Sequence, residues 1–478
     1  MLRRSLVPLL ALVAILVVAA PATATPYVAG SPGSGDPFFP LAGNGGYDAR
    51  HYSLDIDYTR DTNQLAGRTV MIARATQNLH RFNLDLRDFL TVSEVRVNGR
   101  TASFTHSGQE LSIDPRPKLK AGRTFVVSVE YAGEPEPIVD PDGALDGWIL
   151  TEDGAFVVNE PQGSPGWFPV NDTPRDKATY DIEVTVPSGR VAMSNGNLLS
   201  RRERGGKTTW HWFERFPMAS YLATATNGVF ETRFGRLPSG LPEYNAVDPQ
   251  TRVNAASPPN PDLAWERLAP QGEIVDFFSE LYGPYPYESI GGIMDWAPDV
   301  GYSLESQTKA NYWRIVGPST VVHEVAHQWF GNAVTLAFWP DIWLNEGFAT
   351  FSEWIYDERH DGAPAQQVFD DLCALDPVAD KEAYNDLWFP APAALPGPEA
   401  LFHTPVYDRG AMTLQALRNE VGDETFFGIL RTWYAENRRR NVTTADFIAT
   451  AERESGMQLD GLFDAWLYRP GRPAACDA

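Results

Sequence analysis

Apolar and polar residues alternate along His51-Tyr52-Ser53-Leu54-Asp55-Ile56-Asp57-Tyr58, the pattern of a strand with one buried face. Comparable runs recur at 69–75, 82–86, 92–97, 125–131, 180–186 and 221–226, with Asn98-Gly99 and Ser188-Gly189 as turn signals between runs. Short strands following one another without helical periodicity predict an antiparallel β domain over residues 47–240. The Pro- and Asn-rich stretch 241–261 then marks a domain edge.

Beyond it the period changes. Leu263, Leu268, Ile274, Phe277, Phe278 and Leu281 fall at helical spacing over 261–282, broken by Pro270 and stopped at Gly283-Pro284. Residues 290–307 read again as strand. A helix with Ser319 or Thr320 as N-cap is predicted next, and a second from Asp341 to Arg359. Helical spacing returns at 412–421, 423–436, 445–455 and 459–467. Residues 241–478 therefore form a second, α+β domain.

The first of these two central helices carries His323-Glu324-Val325-Ala326-His327. Two imidazoles four residues apart share one helix face and can ligate one zinc ion. Glu324 beside them is placed to act as general base on an attacking water. The segment is otherwise apolar (Val321, Val322, Val325, Trp329, Phe330), and an unpartnered buried His and Glu would be costly there. A catalytic zinc site needs a third protein ligand, for which Glu346 in Trp343-Leu344-Asn345-Glu346-Gly347 is the candidate. Asn345 is a candidate partner for a ligand imidazole. Glu353 and Glu358 read as solvated helix charges.

The run HEVAHQWFGNAVTLAFWPDIWLNEGFATFSE from His323 to Glu353 resembles the zinc aminopeptidases typified by aminopeptidase N, in which eighteen residues separate the second His from the Glu. The resemblance covers roughly residues 45–470 and about the first half of that family's length. It implies an N-terminal β domain followed by a thermolysin-like α+β zinc catalytic domain, one zinc ion, and peptide substrates with a free N-terminus. It also implies roles for residues that the pattern alone leaves bland. Glu160, ahead of Trp167-Phe168-Pro169-Val170-Asn171-Asp172, and Glu305, in Gly301-Tyr302-Ser303-Leu304-Glu305, would hold the substrate ammonium. Tyr407, in Tyr407-Asp408-Arg409-Gly410-Ala411, would serve the oxyanion. Tyr302 replaces the family's Gly, which alters the first specificity pocket. The alternatives are a zinc endopeptidase of related fold and a non-catalytic peptide-binding protein.

Charge and termini add constraints. A net charge of −23 and a pI near 4.7 argue against a nucleic-acid binder. Arg3 and Arg4, the apolar run 6–20 and Ala22-Thr23-Ala24 form a secretory signal peptide with cleavage after Ala24, and no Cys follows to accept a lipid. Secretion without stable membrane insertion is expected. Residues 25–46 read as a flexible Gly/Pro/Ser-rich leader. The two cysteines, Cys373 and Cys476, permit either one disulfide or two free thiols.

Overall fold

A computed structural model describes residues 25–253, 260 and 262–477. The expected signal peptide, 1–24, lies outside the described residues. The N-terminal half is built on an eight-stranded sheet, in the order Asn197–Arg204, Lys207–Met218, Ala178–Pro187, Tyr47–Thr59, Gln64–Ala75, Thr124–Gly133, Leu90–Val97, Arg100–Thr101. Neighbours are antiparallel except Ala178–Pro187 on Tyr47–Thr59, which run parallel. Period-2 patterning sets the faces: Tyr180, Ile182, Val184 and Val186 are fully buried while the residues between them are half-exposed. Trp210 and Trp212 point into this core on the next strand.

A smaller sheet holds the site's β-side wall. Its strands Ile138–Val139, Leu145–Leu150 and Ala155–Val158 pair consecutively, and Asn227–Gly228 and Val191–Ala192 complete it. The expected strand at 221–226 is instead a 3-10 turn, Ser220–Leu222, followed by irregular chain. There Thr224 and Thr226 side chains satisfy the backbone of Val157, so no ladder is needed.

The boundary placed at residue 240 cuts through a hairpin. Glu231–Arg236 pairs with Pro242–Val247, which runs parallel to Gly292–Met294, itself parallel to Ala310–Tyr312. The hairpin thus belongs to the second domain's sheet. Of the expected strand 290–307 only Gly292–Met294 forms; Ile290 and Leu304 make single bridges, to Glu243 and Asn311, and the rest is loop. The interrupted helix appears as Leu263–Leu268 and Gln271–Tyr282. Gly317, in extended conformation with Pro318 at the first helical position, occupies the N-cap expected for Ser319 or Thr320.

The leader is packed rather than loose. Val28–Ala29 pairs with Leu79–Asp85, and buried Asp36 accepts the N–H groups of Phe38, Phe39 and Trp339. Phe39 meets the Trp339 ring edge-on at 6.3 Å. Composition suggested flexibility, but a few apolar anchors and one buried acceptor order the segment. The C-terminal helix Gly410–Val421 packs along the helix Trp343–Arg359, while Phe426 of Asp423–Asn437 and Phe447 of Thr444–Ser455 meet Phe351 and Phe348 on it. Cys373 and Cys476 form a disulfide, tying the helix Ala365–Cys373 to the chain end.

Candidate metal centre

The helix Pro318–Ala326 ends at His327, so both imidazoles sit on its last turn. The helix Trp343–Arg359 lies beside it and aims Glu346 between them. His323 Nε2 is 3.0 Å and His327 Nε2 3.3 Å from Glu346 Oε2. The three donor atoms fall within 4.8 Å of one another.

Each imidazole is oriented by its far nitrogen. His323 Nδ1 lies 2.6 Å from Glu353 Oε1, and His327 Nδ1 lies 3.0 Å from the Phe330 carbonyl. Both Nε2 atoms are thereby turned toward one point, as metal-ligating histidines require. Two imidazoles and a carboxylate converging in this way, with bonded Nδ1 atoms behind, fit a zinc ion. Burial alone would disfavour imidazolium here, yet Glu346 and Glu353 raise the His323 pKa well above its usual value. The pocket therefore attracts positive charge.

Three expectations change. Glu353 is not a solvated helix charge; it stands two turns after Glu346 on the same helix face and reaches His323. That seven-residue spacing was the signal available in the sequence. Asn345 does not orient an imidazole: its Nδ2 donates to Tyr221 Oη at 3.4 Å, and the Phe330 carbonyl holds His327 instead. Glu358 also has partners, the Arg418 guanidinium and the Ala365 N–H.

Around the centre, a cleft of about 300 Å³ is lined by Glu160, Glu305, Glu324 and Tyr407 together with the ligand residues. All seven residues singled out in the sequence thus meet in one place. Glu324 is 4% exposed, and burial pushes its carboxyl up to about 8 despite the neighbouring histidines. Glu305 is anchored through its backbone carbonyl, which accepts from Gln328 Nε2 at 3.1 Å and Asn332 Nδ2 at 2.8 Å. Gln328 directly follows the second histidine and Asn332 lies five residues after it, so the loop carrying Glu305 is tied to the end of the metal helix. Glu160 and Glu305 are both buried, and Oε1 of each lacks a hydrogen-bond partner among the described residues. Burial first, then the Glu305 and Glu346 charges, raise the Glu160 pKa well above the carboxylate range. Two close carboxylates short of a partner form a receptor for a cation.

Tyr407 sits on a π-turn, Pro405–Arg409, with its ring 6.1 Å from that of His323. Its hydroxyl has no hydrogen bond among the described residues. Two features deliver it there. Gly347 and Gly410 let their helices touch: a Cβ on Gly347 would come 2.8 Å from the Gly410 Cα. Arg409, fully buried, donates to the carbonyls of Trp388 and Ala465, each at 3.0 Å, and to that of Arg469.

Both halves of the chain are similar to known proteins. The sequence pattern of the peptidase M1 N-terminal domain matches residues 48–222, and that of the peptidase family M1 domain matches 303–466. Glutamyl aminopeptidase of Bos taurus is 24% identical over 468 residues, which is 88% of this chain and 46% of that protein. The chain thus spans about half the length of that curated relative. The crystal structure of an M1 zinc metallopeptidase from Deinococcus radiodurans superposes with a TM-score of 0.81 at 27% identity, covering 92% of this chain and 98% of the other. A variant of that protein, solved with a Tyr-Ser-Ala substrate bound, matches with a TM-score of 0.80 at 27% identity, over 92% and 99% of the two chains. With both domain patterns in chain order, a two-domain fold shared nearly end to end, and the two-His, one-Glu centre at its heart, the chain belongs to peptidase family M1.

Proposed function

We propose that this protein is a zinc aminopeptidase that removes N-terminal residues from peptides. The observation that carries this reading is the pair of buried, under-bonded carboxylates, Glu160 and Glu305, beside the His323–His327–Glu346 centre. A free peptide N-terminus brings the positive charge they lack, and charge-assisted bonds to both would hold it. That clamp sets the register, so one residue lies between it and the scissile bond. An acetylated N-terminus has no charge to offer.

His323, His327 and Glu346 would hold the zinc, which when bound supplies a Lewis acid for the scissile carbonyl and acidifies a water. Glu324, buried beside the two histidines, takes the proton of the attacking water and passes it to the leaving amine. The free Tyr407 hydroxyl donates a hydrogen bond to the oxyanion of the tetrahedral intermediate. The side-chain preference in the bovine relative's name is not part of the reading, because among the described residues lining the cleft none is Lys or Arg.

Export is part of the same proposal. The charged, apolar and A-x-A segments at 3–24 support it, and the Cys373–Cys476 disulfide suits an oxidising compartment. Among the described residues no helix is long and apolar enough to cross a membrane.

The test is a mass-spectrometric time course with one peptide in free and N-acetylated forms. Stepwise trimming of the free form, with the acetylated form intact, is expected. Internal cleavage of the acetylated peptide at a comparable rate would replace this reading with a zinc endopeptidase.

A further inference from the structure

The hairpin of Ile138–Val139 and Leu145–Leu150 forms one rim of the cleft, and its tip is a tight turn. The Asp140 N–H donates to the Ala144 carbonyl and the Gly143 N–H to the Asp140 carbonyl, both at 2.9 Å, with Gly143 at φ +93°. Beneath the tip, the Tyr302 hydroxyl donates its proton to Asp146 Oδ1 at 2.5 Å, with the Leu145 carbonyl 3.1 Å away as a second acceptor sharing it. Gln162 adds two bonds to the same hairpin, from its side chain to Asp140 Oδ1 at 3.1 Å and from its N–H to Asp146 Oδ2 at 3.3 Å. The Tyr302 phenol is therefore fully engaged with the protein, and what it offers the cleft is its ring. The hairpin tip and that ring form one preorganised wall.

Asp142 stands at the tip and lines the cleft. Its Oδ1 accepts the Ala144 N–H at 2.9 Å, while Oδ2 has no partner among the described residues. No lining Lys or Arg opposes it, and every other charged carboxylate of the cleft has the same sign.

We propose that the cleft selects peptides whose N-terminal residue is arginine or lysine, with the side chain lying along the Tyr302 ring and its cationic head at Asp142, and rejects N-terminal glutamate and aspartate. This rests on the aminopeptidase reading above. A guanidinium can stack on an aromatic face and pair with a carboxylate at once, and a lysine stem packs on the ring with its ammonium beyond. An acidic side chain reaching the hairpin tip meets the like charge of Asp142, with no lining Lys or Arg to offset it.

The experiment uses zinc-loaded enzyme and the p-nitroanilides of arginine, lysine, leucine and glutamate. Arginine and lysine should exceed glutamate in kcat/KM by on the order of a hundredfold. Asp142→Asn should lower the arginine-to-leucine ratio about tenfold, mainly through KM; solvent exposure of Asp142 keeps the effect from being larger. The preference for arginine should shrink as salt rises. Glutamate as the best substrate, or an arginine-to-leucine ratio unaffected by Asp142→Asn, overturns the proposal. Calorimetry of free arginine and free glutamate with zinc-loaded Glu324→Gln enzyme reads the same preference without turnover. Tighter arginine binding that weakens on adding Asp142→Asn supports the subsite even if no amide is cleaved, in which case the aminopeptidase reading alone fails. Equal binding of the two amino acids overturns the subsite.

Discussion

Glu353 Oε1 lies 2.6 Å from His323 Nδ1, on the opposite side of the ring from the nitrogen that faces Glu346. The carboxylate fixes the ring's orientation and makes the facing nitrogen a better donor. Glu353→Ala should therefore weaken zinc binding on the order of 10- to 100-fold while the fold persists, because the side chain is half-buried at the cleft edge. Chelator competition followed by metal analysis checks this. Affinity equal to the wild type would make Glu353 a bystander.

Glu324→Gln should keep the metal and the fold but lower kcat by about 10²–10⁴, since the attacking water keeps its proton. Metal content and kcat measured on the same preparation decide it. A nearly normal kcat at full zinc loading would remove Glu324 from the chemistry.

Tyr407→Phe deletes one hydroxyl with no partner among the described residues, so stability should hardly change. A kcat loss of about 10²–10³ with little change in KM is expected for a donor used mainly in the transition state. An effect confined to KM would show that the ring only lines the cleft.

Gly347→Ala places a methyl 2.8 Å from the Gly410 Cα, a backbone atom that cannot step aside. The two helices must part, which should cost about 1–3 kcal/mol and displace Tyr407 from the metal centre. Thermal unfolding and kcat should fall together; a stable variant with normal kcat would show the crossing to be slack.

Glu214, in the eight-stranded sheet, is fully buried and accepts the Phe216 N–H through Oε1 at 2.8 Å. Burial pushes its carboxyl up from 4.5 to about 8. An unfolded chain ionises this group near 4.5 while the folded chain keeps its proton to about 8, so the folded state binds more protons between them and stability falls as pH rises through that window. Glu214→Gln keeps the acceptor and cannot ionise. Its melting temperature relative to the wild type should climb from about pH 5 to about pH 9; a constant difference would place the Glu214 ionisation elsewhere.

What the sequence determined by itself was local. Alternation marks strands such as Tyr47–Thr59 because pleating sends successive side chains to opposite faces. His323 and His327 were legible as a ligand pair because four residues is one helical turn, whatever surrounds it. Glu160, Glu305 and Tyr407 were legible only through likeness to a family, since nothing nearby in the chain marks them. Tertiary structure decided the rest. Whether Glu353 meets solvent or His323 depends on how the helices Pro318–Ala326 and Trp343–Arg359 cross. The disulfide depends on where the chain end returns, 103 residues after Cys373. The leader's order depends on Asp36 finding the Trp339 N–H 303 positions away. The rim of the cleft exists because Tyr302 binds a hairpin 156 residues earlier in the chain. Each of these contacts is long-range, and its energy comes from desolvation and hydrogen bonding between segments whose meeting no local pattern encodes.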